Sequence, residues 1–349
     1  MPSPEEILDR LVKNNAFPEG FTYPAALDLL EPTLRSLLLS VQGALTEALL
    51  LENWNVSGGV AHPPFHVDYM DARVPNALAF QHEGHAFLVI TIPMIELLLQ
   101  TSDRLSRSSS IAHLLDIGPL SSQLTEMLQA SLCSIQLNFL VSHEYTHHIH
   151  EHVAVAFGPG LAIRKEIQDT ATVGGLRDQA QEADADSYAV YIVLTHLFSE
   201  GGRAHAMKLF AHRDTSEGAN DESLLALFTI AVGAFVYALP PTRLDNTNIY
   251  TRQHPPADAR MNYIMHSTTS WCNQNRPALE AWMTLKRYQA YMRAVAEATW
   301  GTAGTAALSA QHAFLSSAPG MEYMKRLEEL RLDEFGIIKR KSEARQISH

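Results

Sequence analysis

His143-Glu144-Tyr145-Thr146-His147 (HExxH) is the stretch from which the rest of the chain is read. Residues four apart on an α-helix lie on one face. Two imidazoles stacked in that way can grip one Zn²⁺, and the Glu beside the first can reach a metal-bound water. The chain holds 17 His, so the pattern has to be weighed against the residues downstream of it.

A catalytic zinc site takes three protein ligands and keeps one open position. His143 and His147 supply two. His150 lies another turn along, and a straight helix cannot bring all three rings onto one ion; no glycine stands between them to bend it. The third ligand is therefore expected on a second helix. Gln179 to Leu197 reads as helical and carries Glu182-Ala183-Asp184-Ala185-Asp186. Glu182 and Asp186 share a face there. Glu182 would complete the metal shell, and Asp186 could accept the other ring N–H of His143 and fix its tautomer. Ala185 is small enough to let two helices approach. Glu166, Asp169 and Asp178 are equally charged and also downstream, so spacing alone leaves them open as rivals.

These motifs resemble the gluzincin metallopeptidases of the HtpX and CAAX-prenyl-protease type, in which E-x-x-A-D comes after HExxH. Two further stretches agree in order. Pro75-Asn76-Ala77-Leu78-Ala79 followed by His85 to Pro93 is similar to that family's N-A-x-A element and active-site edge strand. His254-Pro255-Pro256-Ala257-Asp258-Ala259-Arg260 is similar to its H-P-P-x-x-x-R motif. The matches run from about residue 70 to 265. The short gap from His147 to Glu182 also resembles ImmA-like and Lit-type phage-exclusion peptidases.

The resemblance implies peptide-bond hydrolysis with one Zn²⁺ per chain held by His143, His147 and Glu182. Glu144 would take a proton from the attacking water and pass it to the leaving amine. His254 is a candidate oxyanion donor, with a structural role before Pro-Pro as the competing reading. In the family reading Arg260 orders the site by salt bridging; a surface Arg is the alternative. The strand Phe87 to Ile92, with Val89, Ile90 and Thr91, would hold substrate backbone by strand addition, and Asn76 would brace it. The substrate expected is an extended polypeptide. Two other readings stay in play: a catalytically silent, metal-binding regulator on a protease fold, and a membrane-associated helical interaction protein. His148, His150 and His152 with Glu151 invite a second metal; exposed histidines at a helix end are the simpler expectation.

Composition narrows the field. Net charge is −12, from 26 basic and 38 acidic residues, and no Lys/Arg cluster stands out, which argues against nucleic acid as a partner. Two cysteines, Cys133 and Cys272, make neither a disulfide framework nor a cysteine zinc site, and suit a reducing, cytoplasmic setting. Ser223 to Thr242 holds no charge and is long enough for a bilayer. Gly233 and Pro240-Pro241 favour a buried core helix instead.

The fold expected is α+β and mainly helical: a zincin-like core with a small antiparallel sheet over the HExxH helix, and helices added at both ends. The segments are 1–55, 56–270 and 271–349. Within them, Pro4 to Leu51 reads as helical, Asn55 to Pro64 and Thr101 to Ser110 as loops, and Ser121 to about Ala156 as one or two helices stopped by Gly158-Pro159-Gly160. His212 to Glu222 reads as a loop. Arg276 to Trp300 and Met321 to Lys341 read as helices joined by an irregular Gly/Ala/Ser-rich stretch.

Overall fold

The computed structural model describes residues 2–17, 20–30, several between 32 and 43, 64–152, 164–165, 175–210, 217–239 and 243–347. The loop expected at Asn55 to Pro64 (save Pro64), the Gly158-Pro159-Gly160 stop, Glu166 and Asp169 lie outside them. The fold is α+β and mainly helical, with one small sheet. The chain divides into two compact units, 1–97 with 143–168 and 98–142 with 169–349.

The first unit is built on the sheet. Helix α1 (Pro4–Lys13) opens with a reciprocal cap: the Ser3 hydroxyl accepts from Glu6 N–H while the Glu6 carboxylate accepts from Ser3 N–H, and Pro4 fills the first turn. Its apolar stripe, Ile7, Leu8 and Leu11, is buried with Phe17, Phe21, Phe80 and Phe87. Each such side chain contributes roughly 1.5–3 kcal/mol by leaving water.

Strands β1 (Phe65–Met70), β2 (Ala77–His82), β3 (His85–Thr91) and β4 (Arg164–Lys165) lie in the order β1-β3-β2-β4. Glu83 and Gly84 both have positive φ, 46° and 79°, which makes the two-residue turn that joins β2 to β3. β3 pairs antiparallel with β2 and parallel with β1. The sheet is thus mixed, not antiparallel, and β3 is an interior strand, not an edge. Its Ala86 to Ile90 run is apolar without alternation and fully buried, as a strand covered on both faces requires.

The second unit is helical. It takes in most of α2 (Ile92–Ser106), α3 (Ser109–Leu115) and most of α4 (Ser122–Ile149), then α5 (Leu176–Leu197), α6 (Glu200–Ala206), α7 (Glu217–Val236), α8 (Ala257–Asn275), α9 (Pro277–Trp282), α10 (Leu285–Leu315) and α11 (Ala318–Ile347). Thr101 to Ser110 is not a loop. Leu105 is buried, the Ser106 hydroxyl donates to Asp103 O, and Ser108 caps α3 by accepting from Ile111 N–H. The serines serve as caps and local donors inside a helical pair.

The stretch from 301 to 320 is also mostly helical. Its alanines favour helix; Gly301, with φ of 64° and ψ of −154°, kinks α10, and a short break at Ser316-Ser317 separates α10 from α11. Helix α7 is long and apolar enough to cross a membrane and is the only such helix among the described residues. Leu224 to Ala234 is nonetheless buried within the second unit, save only slight exposure at Ala226 and Thr229. Gly233 lets it approach α10 closely: a Cβ there would sit 2.6 Å from Met292 Cε.

Candidate metal centre

The HExxH residues occupy the last two turns of α4, and all five are buried. One helical turn brings the rings of His143 and His147 together edge to face, with centroids 4.8 Å apart and Nε2 atoms 3.0 Å apart. Two imidazole nitrogens on one tetrahedral zinc, each at about 2.05 Å, would stand about 3.3 Å apart. The observed spacing is close to that.

The turn is anchored to the sheet. His148 donates from Nε2 to the Phe87 carbonyl of β3 at 2.9 Å, and Phe65 of β1 packs its ring against both Tyr145 and His148. His148 and His152 are therefore not exposed helix-end histidines, as the sequence suggested; both are buried. The helix also stops earlier than expected. Glu151 takes a left-handed φ of 57°, Glu151 N–H bonds to His148 O, and His152 N–H bonds to His147 O. This is the Schellman arrangement that closes a helix C-terminus.

Glu182 stands on α5, 1 % exposed. Buried Ala180 and Ala183 give that helix a flat side, which packs in a cluster with Ile249, Ala259, Tyr263 and Tyr323. One turn before Glu182, Gln179 is held from three directions. Its Nε2 donates to the carbonyls of Ile249 and Arg252, and its Oε1 accepts from the Tyr323 hydroxyl at 2.6 Å. One turn after Glu182, Asp186 accepts two hydrogen bonds from Arg260, each 2.8 Å. Pro255-Pro256 leads into α8, whose first turn carries Arg260, with His254 just before it. His254 Nε2 is 3.5 Å from Glu182 Oε2.

His143 and His147 of the first unit and Glu182 of the second are all buried. This donor set, two imidazoles and a carboxylate, can hold a metal ion. Glu144, also buried, comes directly after His143 in sequence.

β3 has no free side for the strand addition expected of it, while Asn76 braces the strand as expected. Val89 and Ile90 are fully buried in a strand paired on both sides. Thr91 and Asn76 hold each other. Asn76 N–H donates to Thr91 Oγ1, while Thr91 N–H and Oγ1 both donate to Asn76 O. That exchange ties the start of β2 to the end of β3, so these four residues are part of the scaffold.

The contacts that sequence reasoning missed are those of His148 and His152. His147 Nδ1 and His152 Nδ1 are 3.1 Å apart. The one available sign was the density of histidines after HExxH. Compared with protein-family models, with curated proteins and with solved structures, the chain matches none.

Proposed function

We propose that this chain is a zinc-dependent endopeptidase of gluzincin type, with His143, His147 and Glu182 as ligands and Glu144 as general base. The observation that carries this reading is the pair of buried imidazoles, His143 and His147, whose Nε2 atoms stand 3.0 Å apart, with the buried carboxylate of Glu144 on the same turn. Histidines and acids without a shared task have no reason to be taken out of water, where each unpaired charge is costly.

Zinc in such a set lowers the pKa of water towards about 7 and polarises the scissile carbonyl. The chain's residues supply the rest. Glu144 removes the proton from the attacking water and returns it to the leaving amine, a task suited to a carboxylate held out of bulk solvent. His254, beside Glu182, either donates to the developing oxyanion or steadies Glu182. The Arg260–Asp186 pair fixes the helix on which Glu182 stands. Because β3 is committed on both sides, an extended substrate has to pair elsewhere; among the described residues the outer strands of the sheet are β1 and β4.

The test uses the full chain purified without chelator. About one zinc per chain is expected, together with cleavage of an unstructured protein pool. Glu144→Gln should abolish cleavage and keep the metal. A Glu144→Gln protein that cuts at the wild-type rate sinks the mechanism; a metal-free wild type sinks the site.

A further inference from the structure

We infer that His152 is a positioning residue for the metal ligand His147, delivered by the helix stop itself. This role rests on the proposed metal site and not on hydrolysis.

The backbone brings the two residues together. In a Schellman stop, the second residue past the cap returns its N–H to the carbonyl five residues back, and the side chains of those two positions meet. Here they are His152 and His147, with the N–H···O bond at 2.9 Å. The contact between such positions is usually apolar. In this chain it is a nitrogen-to-nitrogen bond of 3.1 Å between the two Nδ1 atoms. The rings are 5.2 Å apart at an interplanar angle of 64°.

That geometry sets the tautomers. His147 Nε2 is the atom that faces His143 Nε2, so it is the metal-ligating nitrogen. A neutral imidazole that ligates through Nε2 carries its proton on Nδ1. His147 Nδ1–H therefore donates, and His152 Nδ1 accepts. His152 in turn is the Nε2–H tautomer. The acceptor orients the His147 ring and raises its basicity, the work a carboxylate or a main-chain carbonyl more often does behind a zinc histidine. Burial of His152 keeps water from competing for that bond.

The test is zinc affinity, measured by competition with a chromophoric chelator, in the full chain. His152→Phe keeps the ring and removes the acceptor; His152→Asn keeps an acceptor near the Nδ1 position. His152→Phe should weaken zinc binding about 10- to 100-fold, and His152→Asn should recover most of it. Nitrogen NMR of zinc-loaded wild type should show the His147 proton on Nδ1, and this spectrum decides alone if His152→Phe fails to fold. His152→Phe with wild-type affinity, His152→Asn no better than His152→Phe, or a proton on His147 Nε2 would overturn the assignment. A wild type that takes no zinc overturns the metal site as a whole. Loss of affinity in a protein that cleaves nothing supports the role of His152 and overturns only the hydrolysis.

Discussion

Arg260 and Asp186 form a two-point ion pair in which the carboxylate is wholly buried and the guanidinium nearly so. Arg260 also stacks near Phe235, 5.8 Å from its ring centroid. A buried pair is costly to break from one side, because the remaining charge has no water. Arg260→Ala should lower stability by about 3–5 kcal/mol in urea denaturation. Arg260→Lys should recover little, since a single ammonium cannot reproduce the two parallel bonds. An apolar replacement of both partners should cost much less than either single change, and parity with the single variants would show that the pair is not the source of the loss.

Glu151 bears a steric penalty at its left-handed backbone, a conformation that glycine adopts freely. Glu151→Gly should raise stability by about 1 kcal/mol, seen as a higher melting temperature, with zinc affinity unchanged. A lower melting temperature would mean that the Glu151 side chain outweighs the strain.

Gly233 and Met292 offer a packing test. The atoms that a new Cβ would meet are the flexible end of Met292, Cε at 2.6 Å and Sδ at 2.9 Å. Gly233→Ala should therefore be absorbed by rotation of Met292, at a cost of about 1 kcal/mol, while Gly233→Val should cost about 1–3 kcal/mol. Adding Met292→Ala to Gly233→Val should recover part of that loss in a double-mutant cycle.

Both thiols should be inert in the folded protein. Burial pushes Cys133 up to about 11 and Cys272 up to about 12. At pH 8 that leaves thiolate at about 0.1 % and 0.01 % respectively. Labelling by a disulfide reagent should be slow in native buffer, rise about tenfold per pH unit, and reach two thiols per chain on denaturation. Rapid native labelling at neutral pH would contradict the burial.

Tyr323 closes the Gln179 network. Tyr323→Phe removes the donor to Gln179 Oε1 and should cost about 1–3 kcal/mol. If Gln179 steadies the Glu182 turn, zinc affinity should fall with it; stability loss alone would confine the network to structure.

How much of the molecule was legible in the sequence depends on the range of the interactions. His143, Glu144 and His147 lie within one turn, so their shared face is a property of the local period. Glu182 stands on a second helix, which the period of Gln179 to Leu197 already showed. The position of β3 depended on partners up to 21 residues away, Phe65 to Met70 on one side and Ala77 to His82 on the other. Its unbroken apolar run already argued for cover on both faces, a sign outweighed by the resemblance to an edge strand. His148 finds its acceptor 61 residues away, at Phe87 O, which no local pattern encodes. The serines after Thr101 and the alanines after Gly301 have composition suited to either loops or helices, and packing decided between them.

Helix α7 leaves one more consequence. Its uncharged length is kept from water only by the helices around it, so opening of the second unit would release a strongly cohesive segment. Such a segment joins its own kind or a lipid surface faster than it returns to its place. Damage to this protein should therefore be recorded as precipitation, and heat or denaturant scans of weakened variants should fail to retrace on cooling or dilution.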